Sequence, residues 1–303
     1  MSDPVPYSLA ITLRTLTPIW TGGIEQSRDL APRDSTMKAK ESGIVGSMRF
    51  WARQLFGDGE TNKLFGVTDE ARSFRIRVSG LSEVEVDKYM PLLEKYAGAA
   101  YGRDYQGKKV LWGNKESGDF SLILDLRSSG IVEPKKTWDK LCGLLTFMAR
   151  SAGLGAKTQH GFGQFSVPND LPSLFGTASL STVSPPSNFF STIYETSGQP
   201  DGLRSTIKSA LNTRLSTSGI DKRDLISLFG KLGWTPRVHI SHPFKIAANG
   251  NSRIKCWCFI DFDPKTTTVN GNLSKEQLLA GVNNAFDACM QTAEGPAWTL
   301  VAP

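Results

Sequence analysis

Apolar and polar residues alternate in three stretches of the first half of the chain, and this alternation predicts β-strands. The stretches are Tyr7 to Leu16, Ser73 to Ser79 and Phe120 to Leu126. A two-residue period places every second side chain on the same face, as in a strand that buries one face. The run from Phe162 to Val167 predicts a fourth strand.

A spacing of three to four residues between apolar positions predicts two helices. The first runs from Ser42 to Phe56 and is ended by Gly57, and the second begins at Glu133-Pro134. The order strand, helix, strand, strand, helix, strand is that of the split βαβ, or ferredoxin-like, unit, with helices on one face of an antiparallel sheet. The two apolar stripes are Ile44, Met48, Trp51 and Leu55, and Trp138, Leu141, Leu145 and Met148.

A Pro- and Ser-rich stretch from Pro168 to Asn188 predicts a boundary between two domains, residues 1–168 and residues 169–303. The second domain is predicted to be a smaller α+β unit. It shows no clear sequence repeat of the first, and whether it is a degenerate copy is left open by the pattern. Its predicted helices span 201–215, 222–229 and 274–292, and its predicted strands span 237–247 and 253–262.

Composition narrows the class of protein. Hydrophobic residues make up 39% of the 303 residues, enough for a core, which excludes wholesale disorder. No stretch reaches the ~18 consecutive apolar residues of a membrane helix, and residues 1–13 lack the pattern of a secretory signal. Four cysteines do not make a disulfide framework in so long a chain. We therefore expect a cytoplasmic protein with no membrane partner.

Positive charge is concentrated in one part of the chain. The net charge of +6 is mild, but residues 28–53 hold six cations against three acidic residues. Part of this stretch belongs to a polar segment, Glu25 to Glu41, that predicts a long loop, and long loops are often functional. Cations beside a loop and a helix start suit phosphate oxygens. The six cations are Arg28, Arg33, Lys38, Lys40, Arg49 and Arg53.

Three segments carry a resemblance to a known family. They are LTPIWTGG (16–23), ESGIVGSMRFWAR (41–53), which is followed by LFG (64–66) and the strand at 74–78, and the glycine-rich loop GLGAKTQHGFG (153–163). Together they resemble the RAMP proteins of CRISPR systems. The helix start Gly-x-x-Gly-Ser-x-Arg-Phe-Trp most resembles the type III-B (Cmr) effector-complex subunit placed at the 3′ end of the guide RNA.

The resemblance implies both a fold and a role. The fold is α+β, with tandem ferredoxin-like, RRM-related domains built from antiparallel sheets with helices on one face. The role is that of a structural subunit that binds CRISPR RNA, caps the 3′ end of the guide and helps to bind target RNA, with other RAMP subunits as partners. Cutting belongs to other subunits of such a complex. We therefore expect no catalytic residue, metal, cofactor or small-molecule substrate.

The chemistry of the segments fits RNA. Glycines at a helix start let backbone N–H groups approach a phosphate, a glycine-rich loop can lie against a nucleic-acid backbone, and Trp20 or Phe162 could stack on a base. The lysine of the loop adds a point charge, although Gly155-Ala156-Lys157-Thr158 lacks the P-loop spacing. The predicted RNA-binding residues are Arg28, Arg33, Lys38, Lys40, Gly43, Gly46, Arg49, Arg53, Gly153, Gly155, Lys157, His160, Gly161 and Gly163.

Each of these features also has an ordinary structural interpretation. The glycine-rich loop could be a helix end followed by a hairpin, and Arg49 and Arg53 could be solvated helix positions. We expect Trp51 to be core, and Phe50 to be core or interface. Cys256 and Cys258 lie on one face of a strand without further ligands nearby, and His239 and His242 have no ligand partners at metal spacing, so neither pair predicts a metal site.

Two other functions remain as alternatives. The first is a RAMP-superfamily endoribonuclease that uses Asp34 or His160 as its acid–base group. No histidine precedes His160, and Asp29 and Asp34 have arginine neighbours that suit salt bridges equally well. The second alternative is a stand-alone RNA-binding domain unrelated to CRISPR.

Overall fold

The structure is a computed structural model that divides the chain into two compact units. Unit 1 comprises Met1–Pro91 and Lys95–Ser184, and unit 2 comprises Leu92–Glu94 and Pro185–Pro303. The structure describes residues 7–17, 19, 41–67, 72–81, 83–85, 104–105, 108–112, 118–127, 133–155, 158, 163–171, 189–197, 213, 237–240, 244–245, 251–259, 280–281, 283–284, 287–288 and 299–301.

Unit 1 contains two helices and seven strands in its described part. The helices are α1 (Glu41–Phe65) and α2 (Pro134–Ser151). The strands are β1 (Ser8–Thr15), β2 (Phe74–Ser79), β3 (Glu83–Glu85), β4 (Asp104–Tyr105), β5 (Lys108–Trp112), β6 (Gly118–Leu126) and β7 (Phe165–Ser166).

The main sheet of unit 1 is antiparallel and has the strand order β2-β6-β1-β7. Strand β1 lies inside the sheet, with Ser8 opposite Asp125 of β6 and Thr15 opposite Phe165 of β7. The mixture of antiparallel sheet and helices predicted for this half is confirmed. A second sheet with the order β3-β5-β4 lies between β2 and β6 along the chain. The sequence did not predict it, because residues 97–118 have few periodic apolar positions.

One face of the main sheet forms the core with both helices. The alternation in β1 buries Ile11 and Leu13 completely, and the predicted stripe of α2 is buried from Trp138 onward. Aromatic contacts join the layers: Trp51 of α1 lies 5.4 Å from Phe147 of α2 between ring centroids. Trp51 is 3% exposed, so its assignment to the core is confirmed.

The opposite face of this sheet carries charged residues, and two of its arginines are in ion pairs. Arg14 of β1 forms an ion pair of 3.1 Å with Asp119 of β6, and Arg77 of β2 forms one of 2.9 Å with Asp125. Ser8 donates a hydrogen bond of 2.6 Å to the same Asp125 carboxylate. These hydrogen bonds lower the pKa of Asp125. Aromatic residues are absent from the outward positions of β1, β2 and β6.

Helix α1 extends beyond its predicted end at Phe56. The helical geometry does break at Gly57, where φ is 77° and ψ is 171°, but a second helical segment continues to Phe65. The sequence 57–59, Gly-Asp-Gly, reads as a turn, so this short segment was not predicted. It is held by packing: the rings of Phe65 and Phe74 lie 5.3 Å apart in an edge-to-face contact.

Unit 2 contains a five-stranded sheet. Its order is β10-β11-β8-β12, with β9 also paired to β11. The predicted strands 237–247 and 253–262 correspond to β9, β10 and β11, whereas β8 and β12 were not predicted. The strands are β8 (Phe189–Thr196), β9 (Arg237–Ile240), β10 (Phe244–Lys245), β11 (Ser252–Phe259) and β12 (Thr299–Val301).

The predicted helices of unit 2 lie mostly outside the described residues. Thr213 is helical, and so are the described residues between 280 and 288. Among the latter, Asp287 accepts a hydrogen bond from the Tyr194 hydroxyl of β8. This contact ties the last predicted helix to the sheet. No helix in the described part of the chain is long and apolar enough to cross a membrane.

Polar groups are buried within the unit 2 sheet. Glu195 of β8 pairs with Arg253 of β11 at 2.9 Å and accepts a hydrogen bond of 2.7 Å from Asn251. Lys255 of β11 is buried, and desolvation together with the nearby Arg253 lowers its pKa to about 7. Strand β8 buries the adjacent residues Ile193 and Tyr194, which point to opposite faces. Burial on both faces removes the alternation that would have revealed the strand.

Candidate nucleic-acid interface

The two ends of the glycine-rich loop are joined to each other. We call these ends, residues 153–155 and 163–164, the loop base. The N–H of Leu154 donates a hydrogen bond of 2.9 Å to the carbonyl oxygen of Gly163. The loop therefore leaves the end of α2 and returns to the same place before β7 begins.

Glycine is required sterically at two positions of the loop base. Gly163 has φ of +67°, and a Cβ there would lie 1.9 Å from the carbonyl oxygen of Leu154. A Cβ on Gly153 would lie 2.9 Å from the carbonyl oxygen of Gly163. These two glycines let the two ends of the loop approach each other, which gives them a structural role in the fold.

The loop base is bound to the end of β1. The backbone N–H groups of Leu16 and Thr17 donate hydrogen bonds of 2.8 Å and 3.2 Å to the carbonyl oxygen of Gln164. In return, the N–H of Gln164 donates a bond of 2.9 Å to the buried hydroxyl oxygen of Thr17. The Leu-Thr of the first motif is thus fixed against the end of the glycine-rich loop.

The loop base is also bound to helix α1. The N–H of Gly155 donates a hydrogen bond of 2.9 Å to the hydroxyl oxygen of Ser47. That hydroxyl donates in turn to the carbonyl oxygen of Ile44, at 2.8 Å, within the first turns of the helix. Gly155 has φ of 78°, a conformation that favours glycine. All three motif segments therefore meet at one place in unit 1.

The structure brings some predicted site residues together and does not describe others. Gly43, Gly46, Arg49 and Arg53 lie on α1, and Gly153, Gly155 and Gly163 lie at the loop base. The remaining predicted RNA-binding residues, the possible stacking residues and the loop aspartates lie outside the described part of the chain. These are Arg28, Arg33, Lys38, Lys40, Lys157, His160 and Gly161, with Trp20, Phe162, Asp29 and Asp34.

Both arginines of α1 have partners on the far side of the break at Gly57. Arg49 is half-buried and donates a hydrogen bond of 3.3 Å to the amide oxygen of Asn62. Arg53 pairs with Asp58, and its side chain is 54% exposed. Because Asn62 is neutral, the hydrogen bond orients the Arg49 charge without cancelling it.

A second charge cluster holds the segment after Gly57 against α2. Glu60 pairs with Lys63 at 2.7 Å and also with Lys140 of α2. The hydrogen bond from Lys140, followed by that from Lys63, lowers the pKa of Glu60 to about 2. The orientation of the Arg49 and Arg53 partners thus depends on this cluster as well as on packing.

The residues that bind the motifs to one another were not predicted from the sequence. Ser47, Thr17 and Gln164 supply the hydroxyl and carbonyl groups at the loop base. Ser47 and Thr17 stand inside the motif segments, but a polar residue within a motif does not reveal which distant N–H it accepts from. Phe50, expected to be core or interface, is 46% exposed and so is not core.

The described residues contain no group of three or more His, Cys, Asp or Glu side chains that could hold a metal ion. The loop base consists of glycines, backbone amides and hydroxyl groups, and it lies next to a helix that carries two arginines. The N–H groups of Leu154, Gly155 and Gln164 donate within the fold, so the groups here that can meet an anionic backbone are the arginines of α1.

Two solved structures are similar to this chain. The chain is similar in fold to the crystal structure of apo Cmr1 from Pyrococcus furiosus, with a TM-score of 0.50 and 15% identity over 97% of this chain and 98% of that one. A chain of the cryo-EM structure of the Type III-B Cmr-beta, bound to cognate target RNA and AMPPnP in the presence of ssDNA, matches with a TM-score of 0.46 and 11% identity, over 92% of this chain and 99% of that one. No curated protein matches in sequence.

The sequence itself shows the family. The model of the RAMP superfamily matches residues 12–166, which is slightly more than half of the chain. The matched range extends from β1 to β7 and includes α1, α2 and the whole glycine-rich loop. The chain belongs to the RAMP superfamily.

Proposed function

We propose that this RAMP protein is a structural subunit of a type III-B CRISPR effector complex that binds CRISPR RNA and caps the 3′ end of the guide. The observation that carries the proposal is the convergence of three motif segments at the loop base, with Ser47 of α1 bonded to Gly155. The proposed partners are the guide RNA, the target RNA and other RAMP subunits, in the cytoplasm.

The proposed RNA surface combines the glycine-rich loop, α1 and the basic stretch at residues 28–40. That stretch follows Thr17, which is bonded to the loop base, and precedes α1, which is bonded to the loop base through Ser47. Along the chain, the stretch therefore stands between two segments that are bonded to the loop base. Four of the six cations of residues 28–53 lie in this stretch, and Lys157 and His160 lie in the loop itself.

The outer face of the main sheet is not part of the proposed surface. RRM domains stack bases on aromatic residues of their sheet, but the outward positions of β1, β2 and β6 carry none. Two of the arginines on this face are also already in ion pairs, Arg14 with Asp119 and Arg77 with Asp125. The helix and loop side of unit 1 is the better site for a polyanion.

The finer description of the fold belongs to the same proposal. The strand order β2-β6-β1-β7 with two helices supports a ferredoxin-like first domain, residues 1–168. We extend this to a second, degenerate ferredoxin-like domain at residues 169–303. The sheet of unit 2 supports an α+β domain there, in which the second repeat of the fold is our inference.

The proposal assigns no cutting role to this chain. At the loop base, the described hydroxyls of Ser47 and Thr17 accept hydrogen bonds that hold the fold together. A cutter needs a group placed to move a proton, or a metal clamp for the phosphate. In the endoribonuclease alternative, Asp34 or His160 would supply that group.

A binding and cleavage assay of the full chain tests the proposal. We expect binding of CRISPR-derived guide RNA that weakens with salt, with a slope of log affinity of about −0.7 per phosphate contacted, and intact guide and complementary RNA with or without divalent metal. Binding that does not respond to salt, or no binding at low salt, contradicts the proposal. Cleavage that is lost in Asp34→Ala or His160→Ala supports the endoribonuclease instead.

Copurification separates the proposal from a stand-alone RNA-binding domain. We expect the chain to copurify with a small guide RNA and with other RAMP subunits when these are coexpressed. A chain that binds RNA in vitro but assembles with none of these subunits is a separate RNA-binding protein.

A further inference from the structure

Phe50 is an exposed aromatic residue of α1 whose near neighbours Met48 and Trp51 are buried. Its side chain is 46% exposed, whereas Met48 is fully buried and Trp51 is 3% exposed. Helical spacing places Gly43 and Gly46 on the same face as Phe50, seven and four residues earlier, and Arg53 three residues later. The exposed ring therefore lies between two glycines and an exposed arginine.

Gly46 has no explanation within the fold. A Cβ added at this position would meet no atom within 4 Å, and its φ is not positive. Glycine inside a helix is disfavoured relative to alanine because the unfolded chain has more freedom to lose. The packing of unit 1 therefore does not require glycine at residue 46. The lack of a side chain there leaves open space beside Phe50.

The ring of Phe50 is held in place by a contact with the buried Trp51. It makes an edge-to-face contact with Trp51, with centroids 5.1 Å apart and an interplanar angle of 82°. Trp51 is itself packed against Phe147 of α2. A ring that is fixed by the core yet exposed to solvent loses little conformational freedom when a ligand stacks on it.

We propose that Phe50 stacks on an unpaired base of single-stranded RNA, and that the space over Gly46 admits the nucleotide. This inference rests on the proposed function and names one subsite of it. Charge complementarity favours RNA: residues 28–53 carry six cations against three acids, and Arg53 lies on the same face as Phe50. An aromatic ring beside cations is how proteins bind single strands without reading sequence.

The position on α1 supports the same occupant. Ser47, which accepts the hydrogen bond from Gly155 of the loop base, is one residue from Gly46 and three from Phe50. A strand whose phosphates contact the glycine-rich loop would have its neighbouring bases within the reach of this helix face. A partner protein covering Phe50 is the competing occupant.

Substitution at Phe50 tests the stacking. We expect Phe50→Leu to weaken the binding of a mixed-sequence single-stranded RNA about 5- to 100-fold in a fluorescence anisotropy titration of the full chain, and Phe50→Tyr to bind within about twofold of the wild type. Tyr7→Leu, at another exposed aromatic residue, is the matched control and should bind normally. Because leucine keeps an apolar surface, the comparison isolates the aromatic ring.

Substitution at Gly46 tests the open space. We expect Gly46→Gln to weaken RNA binding severalfold while its unfolding midpoint does not fall, because glutamine is a good helix former. Gly59→Gln is the matched control, since Gly59 is a helical glycine with nothing within 4 Å of its Cβ position and lies beyond the break at Gly57. It should leave RNA binding unchanged.

The outcomes separate this inference from the proposed function. Wild-type protein that does not bind RNA overturns the proposed function. Normal binding by Phe50→Leu, or a loss that tyrosine does not restore, overturns the stacking alone. If Phe50→Leu and Gly46→Gln bind RNA normally but no longer copurify with partner subunits, the surface is a protein interface and the stacking is wrong.

Discussion

The backbone N–H of Gly155 donates a hydrogen bond to the hydroxyl oxygen of Ser47, a residue 108 positions earlier in the chain. Through this bond the start of α1 is attached to the end of α2, and the carbonyl oxygen of Ile44 fixes the direction of the hydroxyl. The loop base and the helix therefore form one unit, and a change at Ser47 is expected to reach both.

Replacing Ser47 by alanine should lower both stability and RNA affinity. The change leaves the Gly155 N–H without its acceptor in a partly buried place, which costs about 1–3 kcal/mol in the free energy of unfolding. Urea denaturation measures the loss, and Ser47→Thr should restore much of it because it retains the hydroxyl. If Ser47→Ala unfolds at the wild-type urea concentration, the bond does not hold the loop base.

We expect residue 163, at the end of the glycine-rich loop, to tolerate no side chain. In Gly163→Ala the left-handed backbone is strained, and the new Cβ would lie 1.9 Å from the carbonyl oxygen of Leu154, so we expect a loss of more than about 2 kcal/mol. Gly59→Ala is the contrasting control, with open space and a helical backbone, and should stabilise the protein by up to about 1 kcal/mol. Thermal unfolding of the two variants distinguishes them, and equal effects would contradict the steric role of Gly163.

The ion pairs of Glu60 should make stability depend on acid pH. Its pKa is lowered from 4.5 to about 2 in the folded protein, so the folded state favours the charged carboxylate. The stabilisation is complete above pH 4.5 and is lost as the pH falls from 4.5 towards 2. In Glu60→Gln the free energy of unfolding should fall less steeply between pH 4.5 and 2. A decline of unchanged slope would show that the pairs with Lys140 and Lys63 do not contribute.

The regular part of the fold was predictable because its burial is one-sided. The alternation in β1 and the stripe of α2 follow directly from strands and helices that bury a single face, as Ile11, Leu13 and Trp138 show. Strand β8 was missed because it buries Ile193 and Tyr194 on opposite faces. The helical segment after Gly57 was missed because Gly-Asp-Gly has the composition of a turn, and tertiary contacts such as Phe65 with Phe74 decide its structure.

The site was predictable as a set of segments but not as a set of contacts. The glycines at 153, 155 and 163 could be recognised in the sequence. The sequence did not show that Gly153 must lack a side chain because the backbone of Gly163 lies against it. Those roles depend on distances between residues that are remote along the chain. The assignment of RNA contacts to individual glycines and cations stays a prediction.

Two variants separate the effect of the Arg49 charge on RNA binding from the effect of the orientation of its side chain. Arg49→Glu should weaken RNA binding and reduce the salt slope by about 0.7, since one phosphate contact is lost. Asn62→Ala removes the hydrogen bond that orients Arg49 but keeps its charge, and should leave the salt slope unchanged. Titrations at several salt concentrations measure both, and equal slopes in the wild type and Arg49→Glu would remove Arg49 from the RNA surface.

Charge reversal on the outer face of the sheet should have little effect on RNA. Arg14 is exposed and already paired with Asp119 on that face, and exposed pairs contribute only about 0–1 kcal/mol to stability. We therefore expect Arg14→Glu to fold and to bind RNA with an affinity near that of the wild type. A loss as large as that of Arg49→Glu would place the RNA on the sheet instead.

The position of β1 inside the main sheet has a consequence for how the protein folds. Ser8 meets Asp125 across 117 residues, and Thr15 meets Phe165 later still. During synthesis β1 is made before both of its neighbours in the sheet, β6 and β7. Until then the backbone N–H and C=O groups of β1 have no partner strand in this sheet. We therefore expect folding to be slow and nascent chains to be prone to aggregation. Truncation before residue 165 should leave β1 with an open edge.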